Sequence, residues 1–140
     1  MKNLGKKISS YEDFINDRLK KDLKEVETLC SKKVDDYKNW QELQNFIKHV
    51  QNKKQDELIT TFEFGFGVYM AAKLERVDKL IVCIGCNCYL EMYYDEANKY
   101  VELRMKYLKK EINFLRQQAV KIKAHIKLVL LAISELKENR

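Results

Sequence analysis

Proline is absent from this chain of 140 residues, and long apolar runs are absent as well. An interior proline destabilises a helix by about 3 kcal/mol, so its absence favours long, unbroken helices. No stretch of about 18 apolar residues occurs, so the sequence predicts no membrane-spanning helix. The first residues also lack the apolar segment of a signal peptide. We therefore expect a protein of the cytoplasm, the nucleus or both.

No long block of charge of one sign occurs either, although the net charge is +6. The 27 basic residues are interspersed with 21 acidic ones along both helical segments. This mixed pattern is typical of the solvated outside of a coiled coil. Proteins that read nucleic acids carry basic patches and aromatic–basic motifs, which this sequence lacks. We therefore expect no binding to nucleic acid.

The N-terminal part of the chain has an apolar residue at every third or fourth position. Ser9 or Ser10 is predicted as the N-cap of a first helix, which is predicted to end in the polar run Lys48–Glu57. The apolar spacing averages 3.5 residues, as in a left-handed coiled coil. Its steps are irregular, so we expect local unwinding and overwinding, with Tyr37 and Trp40 near the irregular part. The stripe consists of Ile15, Leu19, Leu23, Val26, Cys30, Val34, Tyr37, Trp40, Leu43, Ile47 and Val50.

A second and more regular stripe begins at Val101. Its positions alternate strictly between steps of four and three residues, and every one is apolar. Each helix would be about 45 residues, or ~65–70 Å, long. Two helices of equal length on either side of a short central segment predict an antiparallel coiled-coil hairpin. The second stripe consists of Val101, Met105, Leu108, Ile112, Leu115, Ala119, Ile122, Ile126, Val129, Ile133 and Leu136.

Between the two stripes the apolar period changes to two. Residues Phe62–Met70 alternate as on one face of a half-buried strand, and Leu80–Ile84 is apolar throughout. Turns are predicted at Gly65–Gly67, Glu75–Lys79 and Gly85–Asn87. The sequence therefore predicts four short strands in two β-hairpins.

Two hairpins alone would leave their strand edges unpaired, and an isolated hairpin is marginally stable in water. An all-apolar strand such as Leu80–Ile84 is expected to be covered on both faces. We therefore expect the β unit to join strands of other chains in a barrel-like body, and the chain alone to have a thin core. The predicted contacts between subunits are Phe62, Phe64, Val68, Ile81, Val82, Ile84 and Tyr89.

These elements together predict an α+β fold, in which a long antiparallel helical coiled-coil hairpin is joined by two β-hairpins. We expect a single domain over residues 1–140. Its first helix is predicted at residues 9–57, its two β-hairpins at 58–94 and its second helix at 95–138.

This order of elements and several motifs resemble the α class of prefoldin subunits. Ile84–Glu91 is similar to the third turn and fourth strand of that family, and Asp95–Tyr100 is similar to the opening of its second helix. Val68–Leu74 is similar to its second strand, although Ala71 and Ala72 replace a common Pro-Gly pair. The resemblance extends over residues 11–138 and depends on the order and spacing of the motifs.

The resemblance implies an α-class prefoldin-like subunit of a hetero-oligomeric co-chaperone, which binds unfolded or partner proteins without nucleotide. It implies other prefoldin or prefoldin-like subunits as partners, among them the α-class partner URI and β-class subunits, within an assembly that includes AAA+ ATPases. It also implies a role as a transcription cofactor, with transcription factors among its partners. The alternative is a coiled-coil adaptor or scaffold for transcriptional or centrosomal partners, without chaperone activity.

Surplus apolar residues lie where the two helix ends of the predicted hairpin would meet. With the second stripe taken as positions a and d of the heptad, three leucines fall at c, e and f, which a two-stranded coiled coil does not bury. An exposed apolar cluster marks a binding site, and an alternative is a helix end packed against a neighbouring chain. Tyr107 and Phe114, also at c, indicate a partner along the same side. The predicted client or partner tip consists of Tyr11, Phe14, Leu128, Leu130 and Leu131.

No arrangement of residues predicts a catalytic site. Cys83, Cys86 and Cys88 include the Cys-x-x-Cys spacing of zinc sites, but no fourth Cys or His lies within thirty residues. We interpret the cysteines as small apolar strand residues in a reducing compartment. His49 and His125 have no nucleophile or carboxylate cluster nearby in the sequence and are interpreted as packing or partner contacts. We therefore expect no metal, no cofactor and no enzymatic activity.

Overall fold

The computed structural model describes residues 2–53, 57–75 and 79–138. It confirms the predicted order of helices around two β-hairpins, and thus the α+β fold. No helix within these ranges is both long and apolar enough to cross a lipid bilayer. The elements are α1 (Lys2–Asp13), a π-helical segment (Phe14–Leu19), α2 (Lys20–Lys53), β1 (Glu57–Gly65), β2 (Val68–Glu75), β3 (Lys79–Gly85), β4 (Cys88–Tyr93) and α3 (Tyr94–Glu138).

The first helical segment begins earlier than predicted, and it is described to Lys53, within the polar run in which it was predicted to end. Ser9 and Ser10 lie inside α1, so the predicted N-cap is wrong. Extending the helix to Lys2 places Ile8 one heptad before Ile15, where it is buried, and this burial favours a helix over a cap at the serines. At the other end, Glu57 already belongs to β1. Of the predicted turn between β2 and β3, residues 76–78 lie outside the described residues.

The main irregularity of the first helical segment is the π-helix, and not the predicted region near Tyr37 and Trp40. There the backbone N–H of Lys20 donates to the carbonyl oxygen of Ile15, five residues before it. Two consecutive steps of four residues, Ile15 to Leu19 to Leu23, add one residue to the usual heptad. Because a π turn takes in an extra residue, it keeps these side chains on the seam. A second pair of four-residue steps, from Val26 to Val34, is offset by the three-residue steps that follow it.

Every residue of the two predicted stripes is buried or half-buried in the structure. The described residues form two compact units, which we describe separately. In the first unit, made from residues 1–37 and 107–140, Ile8, Ile15 and Leu19 pack with Ile133 in one core.

Ion pairs in this unit show that its helices are antiparallel. Lys137 Nζ lies 3.2 Å from Glu12 Oε1, and Lys33 Nζ lies 3.0 Å from Glu111 Oε2. Later residues of the first helical segment therefore contact earlier residues of α3. Such half-exposed pairs contribute at most about 1 kcal/mol each, so the apolar seam carries most of the stability.

The second unit comprises residues 38–106 and contains both hairpins. Its core is formed by Ile47 of α2, Ala97 and Val101 of α3, and Val82 and Met92 of the second hairpin. The amphipathic helices and one face of the β3–β4 hairpin thus share one apolar layer.

Aromatic and polar contacts surround this core. The rings of Trp40 and Tyr100 meet edge to face with centroids 5.7 Å apart, and the guanidinium of Arg104 lies 5.7 Å from the centre of the Trp40 ring. The amide of Gln51 donates to Asp95 Oδ1 at 3.0 Å, whereas Trp40, earlier on α2, meets Tyr100, later on α3. The two helices are therefore antiparallel in this unit as well.

The two hairpin turns lie at two of the predicted places and share one backbone conformation. Phe66 and Gly67 have φ values of 52° and 76°, and Cys86 and Asn87 have 51° and 56°. Positive φ at both central residues is typical of a type I′ turn, whose twist matches that of the strands. The segment Phe62–Met70 is therefore a hairpin rather than one continuous strand.

Truncation of Ile47 tests the second core. Its side chain is fully buried, so we expect Ile47→Ala to lower the free energy of unfolding by about 2–5 kcal/mol through lost transfer energy and a cavity. The matched control is Leu103→Ala in the same unit, at a position that is 66% exposed, with an expected change of about 0.5 kcal/mol or less. Urea denaturation followed by circular dichroism measures both. Equal losses for the two variants would contradict the assignment of the core.

Candidate functional site

The β1–β2 hairpin exposes an apolar face. Phe62 pairs directly with Met70, and the alternation along the strands places Phe64 and Val68 on the same face. Phe62 is 60% exposed and Phe64 75%, and Val68 and Met70 are also more than half exposed. Monomeric proteins rarely expose contiguous apolar patches larger than a few hundred Å². We call this set the hairpin-1 face; it is a candidate contact with other chains.

The β3–β4 hairpin is covered on one face only. Val82 is 4% exposed in the core, and Met92 beside it is also buried. The opposite face carries Ile81 and Tyr89, which are 74% and 66% exposed. The prediction of cover on both faces of β3 is therefore not met within this chain, since its own helices cover the inner face alone.

Strand edges add a second kind of unsatisfied surface. The described residues form two separate two-stranded sheets, so each strand has a partner on one side only. Each free edge presents a row of backbone N–H and C=O groups that can pair with an added strand. The hydroxyl of Tyr100 donates to the carbonyl oxygen of Ile84 at 3.4 Å and so engages one acceptor near the end of β3.

A groove of about 410 Å³ lies between β3 and the helices of the second unit. Trp40 and Leu43 of α2 and Arg104 of α3 line it opposite β3 residues Ile81–Gly85. An aromatic ring and a guanidinium beside a strand can receive an extended segment or a neighbouring hairpin. The sequence does not predict this groove, because the spacing of Trp40 marks only its seam position.

Of the seven predicted subunit contacts, six are exposed and one is not. Phe62, Phe64, Val68, Ile81, Ile84 and Tyr89 are available on the surface, whereas Val82 belongs to the core of its own chain. A run that is apolar at every position cannot reveal which of its two faces is covered, which explains the misplaced Val82. The register adds Met70, whose pairing with Phe62 could have been inferred from the turn at Gly65–Gly67.

The predicted tip residues are all exposed, and they divide between several surfaces. On α3, Leu128 and Leu131 are three residues apart and share one face, while Leu130 lies about 160° around the helix from Leu128. On the first helical segment, Phe14 is 41% exposed and its ring lies 5.9 Å from the guanidinium of Arg18. Tyr11 is also exposed. The leucine pair is therefore the most continuous apolar part of the predicted tip.

The cysteines lie where a strand and a turn expose them. Cys83, Cys86 and Cys88 are free and exposed, and the Cys88 thiol lies 3.7 Å from the carbonyl oxygen of Cys86. Among the described residues, no group of three or more His, Cys, Asp or Glu side chains is placed to hold a metal ion. His125 is an exposed residue of α3.

Comparison with known proteins gives the family of this chain. The family model described as Prefoldin subunit matches residues 37–138. The chain belongs to the prefoldin family, as the resemblance of its motifs had indicated. It is a prefoldin-like subunit.

Its relatives and a solved structure agree with this assignment. The chain is 29% identical to protein UXT of Homo sapiens over 132 residues, which is 94% of this chain and 84% of that protein. It is 28% identical to the UXT homolog of Nematostella vectensis over 136 residues, or 96% and 86% of the two chains. A chain in the cryo-EM structure of filamentous PFD from Methanocaldococcus jannaschii has a TM-score of 0.68 at 20% identity, covering 86% of this chain and 98% of that one.

Cysteine alkylation tests how the second hairpin is placed. Because Cys83, Cys86 and Cys88 are exposed and Cys30 is half-buried in a helical seam, brief treatment of the native chain with iodoacetamide should modify the first three before Cys30. Mass spectrometry of peptides measures the four rates, with the denatured chain as the control for intrinsic reactivity. A native rate for Cys30 equal to that of Cys83 would contradict the structure.

Proposed function

We propose that this chain is an α-class prefoldin-like subunit of a hetero-oligomeric co-chaperone. The observation that carries the proposal is the hairpin-1 face, with Phe62, Phe64, Val68 and Met70 exposed on a sheet whose edges are open. Closing a barrel with strands of other α- and β-class subunits would satisfy the edges and bury the apolar face on the inside of the barrel. The exposed Ile81 and Tyr89 of the second hairpin would take part in the same body.

The leucine pair Leu128 and Leu131 is the proposed site for unfolded or partner proteins. Both side chains are more than half exposed on α3 and add nothing to the seam. Apolar side chains on a solvated helix can hold apolar segments of a non-native chain without a covalent step or nucleotide. The proposed mechanism is therefore passive capture and release, and the subunit has no enzymatic role.

The similarity to UXT proteins supports more specific proposals. These are assembly with the prefoldin-like partner URI and with β-class subunits, a role as a transcription cofactor that contacts transcription factors, and a location in both cytoplasm and nucleus. The second candidate function is an adaptor for folded transcriptional or centrosomal partners. It is favoured by exposed aromatic residues along α3, such as Tyr107 and Phe114, which lie away from the leucine pair.

Charge on the hairpin-1 face tests the assembly. We expect Phe62→Asp with Phe64→Asp to abolish incorporation into the hetero-oligomer, because two carboxylates would be buried without partners. The readout is the mass of the complex that copurifies with the tagged chain from cells, measured by light scattering after size exclusion. Thr61→Asp, on the other face of β1, is the matched control and should assemble normally.

Two outcomes of that experiment count against the proposal. If the double variant yields a complex of unchanged mass, the hairpin-1 face is not an interface. If wild-type chain copurifies with no other subunit, there is no hetero-oligomer to explain. Circular dichroism of each purified variant establishes that its helices are intact.

Charge on the leucine pair tests client binding. We expect Leu128→Asp with Leu131→Asp to leave assembly unchanged and to reduce at least severalfold the ability of the complex to prevent aggregation of a model protein diluted from guanidinium. Loss of two apolar contacts of about 1.5–3 kcal/mol each would be sufficient for such an effect. Light scattering at a fixed ratio of complex to substrate measures the effect.

The control for client binding has the same spacing and charge. Gln117→Asp with Val120→Asp places two carboxylates three residues apart at exposed positions of the same helix. This variant should protect the substrate as well as wild type does. Equal protection by the Leu128/Leu131 variant would show that the leucine pair is not the client site, and no protection by the wild-type complex would favour the adaptor.

A further inference from the structure

A second groove lies in the unit formed by residues 1–37 and 107–140, away from both hairpins in the sequence. It has a volume of about 460 Å³, within the roughly 300–1,000 Å³ range of ligand pockets in proteins. Both α2 and α3 contribute to it, so it follows the line where the two helices meet. Its lining residues are Leu29, Lys33, Lys110, Glu111, Phe114 and Leu115.

The floor of this groove is apolar and only partly covered. Leu115 belongs to the seam and is half-buried, but Leu29 is 43% exposed and Phe114 is 60% exposed. Neither Leu29 nor Phe114 is a seam residue, so the coiled coil does not need them to be apolar. Tyr107 lies one heptad before Phe114 and is 57% exposed, and it extends the apolar surface along α3.

The rim of the groove is basic. A second depression of about 400 Å³ adjoins the first at Leu29 and is lined also by Lys21, Lys24, Glu25, Thr28 and Lys32. Together the two contain five lysines and two glutamates, a surplus of three positive charges.

Ion pairs within the chain neutralise only part of this positive charge. Lys33 pairs with Glu111 at 3.0 Å, and Lys21 lies 3.9 Å from Asp17. Lys24, Lys32 and Lys110 have no ion-pair partner among the described residues.

We propose that this groove binds an acidic amphipathic helix of a partner protein. A helix with apolar residues at i, i+4 and i+7 can rest them on Leu29 and Phe114, as in other helix-in-groove complexes. Its flanking carboxylates then face the lysines of the rim. Lys21 and Lys32 are eleven residues apart, or about 16 Å along α2, which corresponds to about three turns of the bound helix.

The chemistry of the groove distinguishes this occupant from others. A nucleic acid would use the lysines but leave Leu29 and Phe114 without a partner. An unfolded client would use the apolar floor and gain little from the positive charge. The proposal therefore goes beyond the co-chaperone function and gives the adaptor candidate a specific site, because it requires a folded, acidic partner and a groove distinct from Leu128 and Leu131.

A designed peptide is the probe. It is about 18 residues long, forms a helix of about 27 Å, carries leucines at helical spacing with glutamates on either side, and has a fluorescein label. Fluorescence anisotropy measures its binding to the full chain, or to the complex that contains it, at low and at moderate salt. We expect Phe114→Ala to weaken binding about tenfold, as for an aromatic anchor.

A pair of charge reversals tests the rim. We expect Lys24→Glu with Lys32→Glu to weaken binding about tenfold at low salt and to reduce its dependence on salt, because the lost attraction is one that salt screens. The matched controls are Val120→Ala and Lys127→Glu at exposed positions of α3 outside the groove, which should bind like wild type. All of these positions are exposed, so the variants should fold normally.

Three results would overturn the proposal. One is equal binding of a peptide with its glutamates replaced by lysines. Another is a loss with the lysine variant but none with Phe114→Ala, since this would indicate general attraction between charges. The third is a labelled single-stranded oligonucleotide that binds more tightly than the acidic peptide and depends on the same lysines, which would identify the rim as a nucleic-acid surface.

Discussion

The constraint on which the rest of the structure depends is that the described residues form two sheets of only two strands each. Every strand is then an edge strand, and its outer row of backbone groups has no strand partner among the described residues. The hairpin-1 face adds large apolar side chains to the same small region. Water can hydrogen-bond to the backbone groups of the strand edges, but exposure of the phenylalanine side chains to water remains unfavourable. Strands of other chains that close a barrel with these hairpins would remove both deficits, because the edges pair and the apolar face turns inward. This is the physical basis for proposing a subunit rather than an independent protein.

The helices impose a related limit, because a pair of helices buries little more than its seam. Ile47 and Val101 are the largest side chains that are fully buried in the described structure, and no polar or charged residue there is buried. A long seam repeats small contacts rather than building one large core. Residues outside it are free to bind other molecules. The two proposed sites differ in their chemistry: the leucine pair offers apolar contact alone, and the groove at Leu29 and Phe114 offers charge as well.

Periodicity was sufficient to predict the helices, since each seam residue recurs at a spacing that only a coiled coil explains. The turns were predictable because Gly67 and Asn87 suit positive φ at hairpin turns. The inner and outer faces of β3 could not be predicted, because Leu80–Ile84 is apolar at every position and shows no alternation of apolar and polar residues. The buried Ile8 was missed because a serine pair is a strong local signal for a cap, while the benefit of burying Ile8 comes from Ile133, 125 residues away. The π-helix was missed because the double step from Ile15 to Leu23 resembles the later one from Val26 to Val34, which is offset by steps of three. The groove at Leu29 also depends on two distant segments, and only Phe114 and Tyr107 were marked by the heptad pattern.

Hydrogen–deuterium exchange tests the central claim most directly, because it reports on the backbone groups of the strand edges themselves. The chain would be compared alone and in the complex purified from cells, at equal concentration and pH. The account predicts that amides of the helical seams are protected in both samples, whereas outer-edge amides of the four strands exchange rapidly in the free chain and become protected in the complex. Equal and strong protection of those strand amides in a dilute, monomeric chain would contradict it.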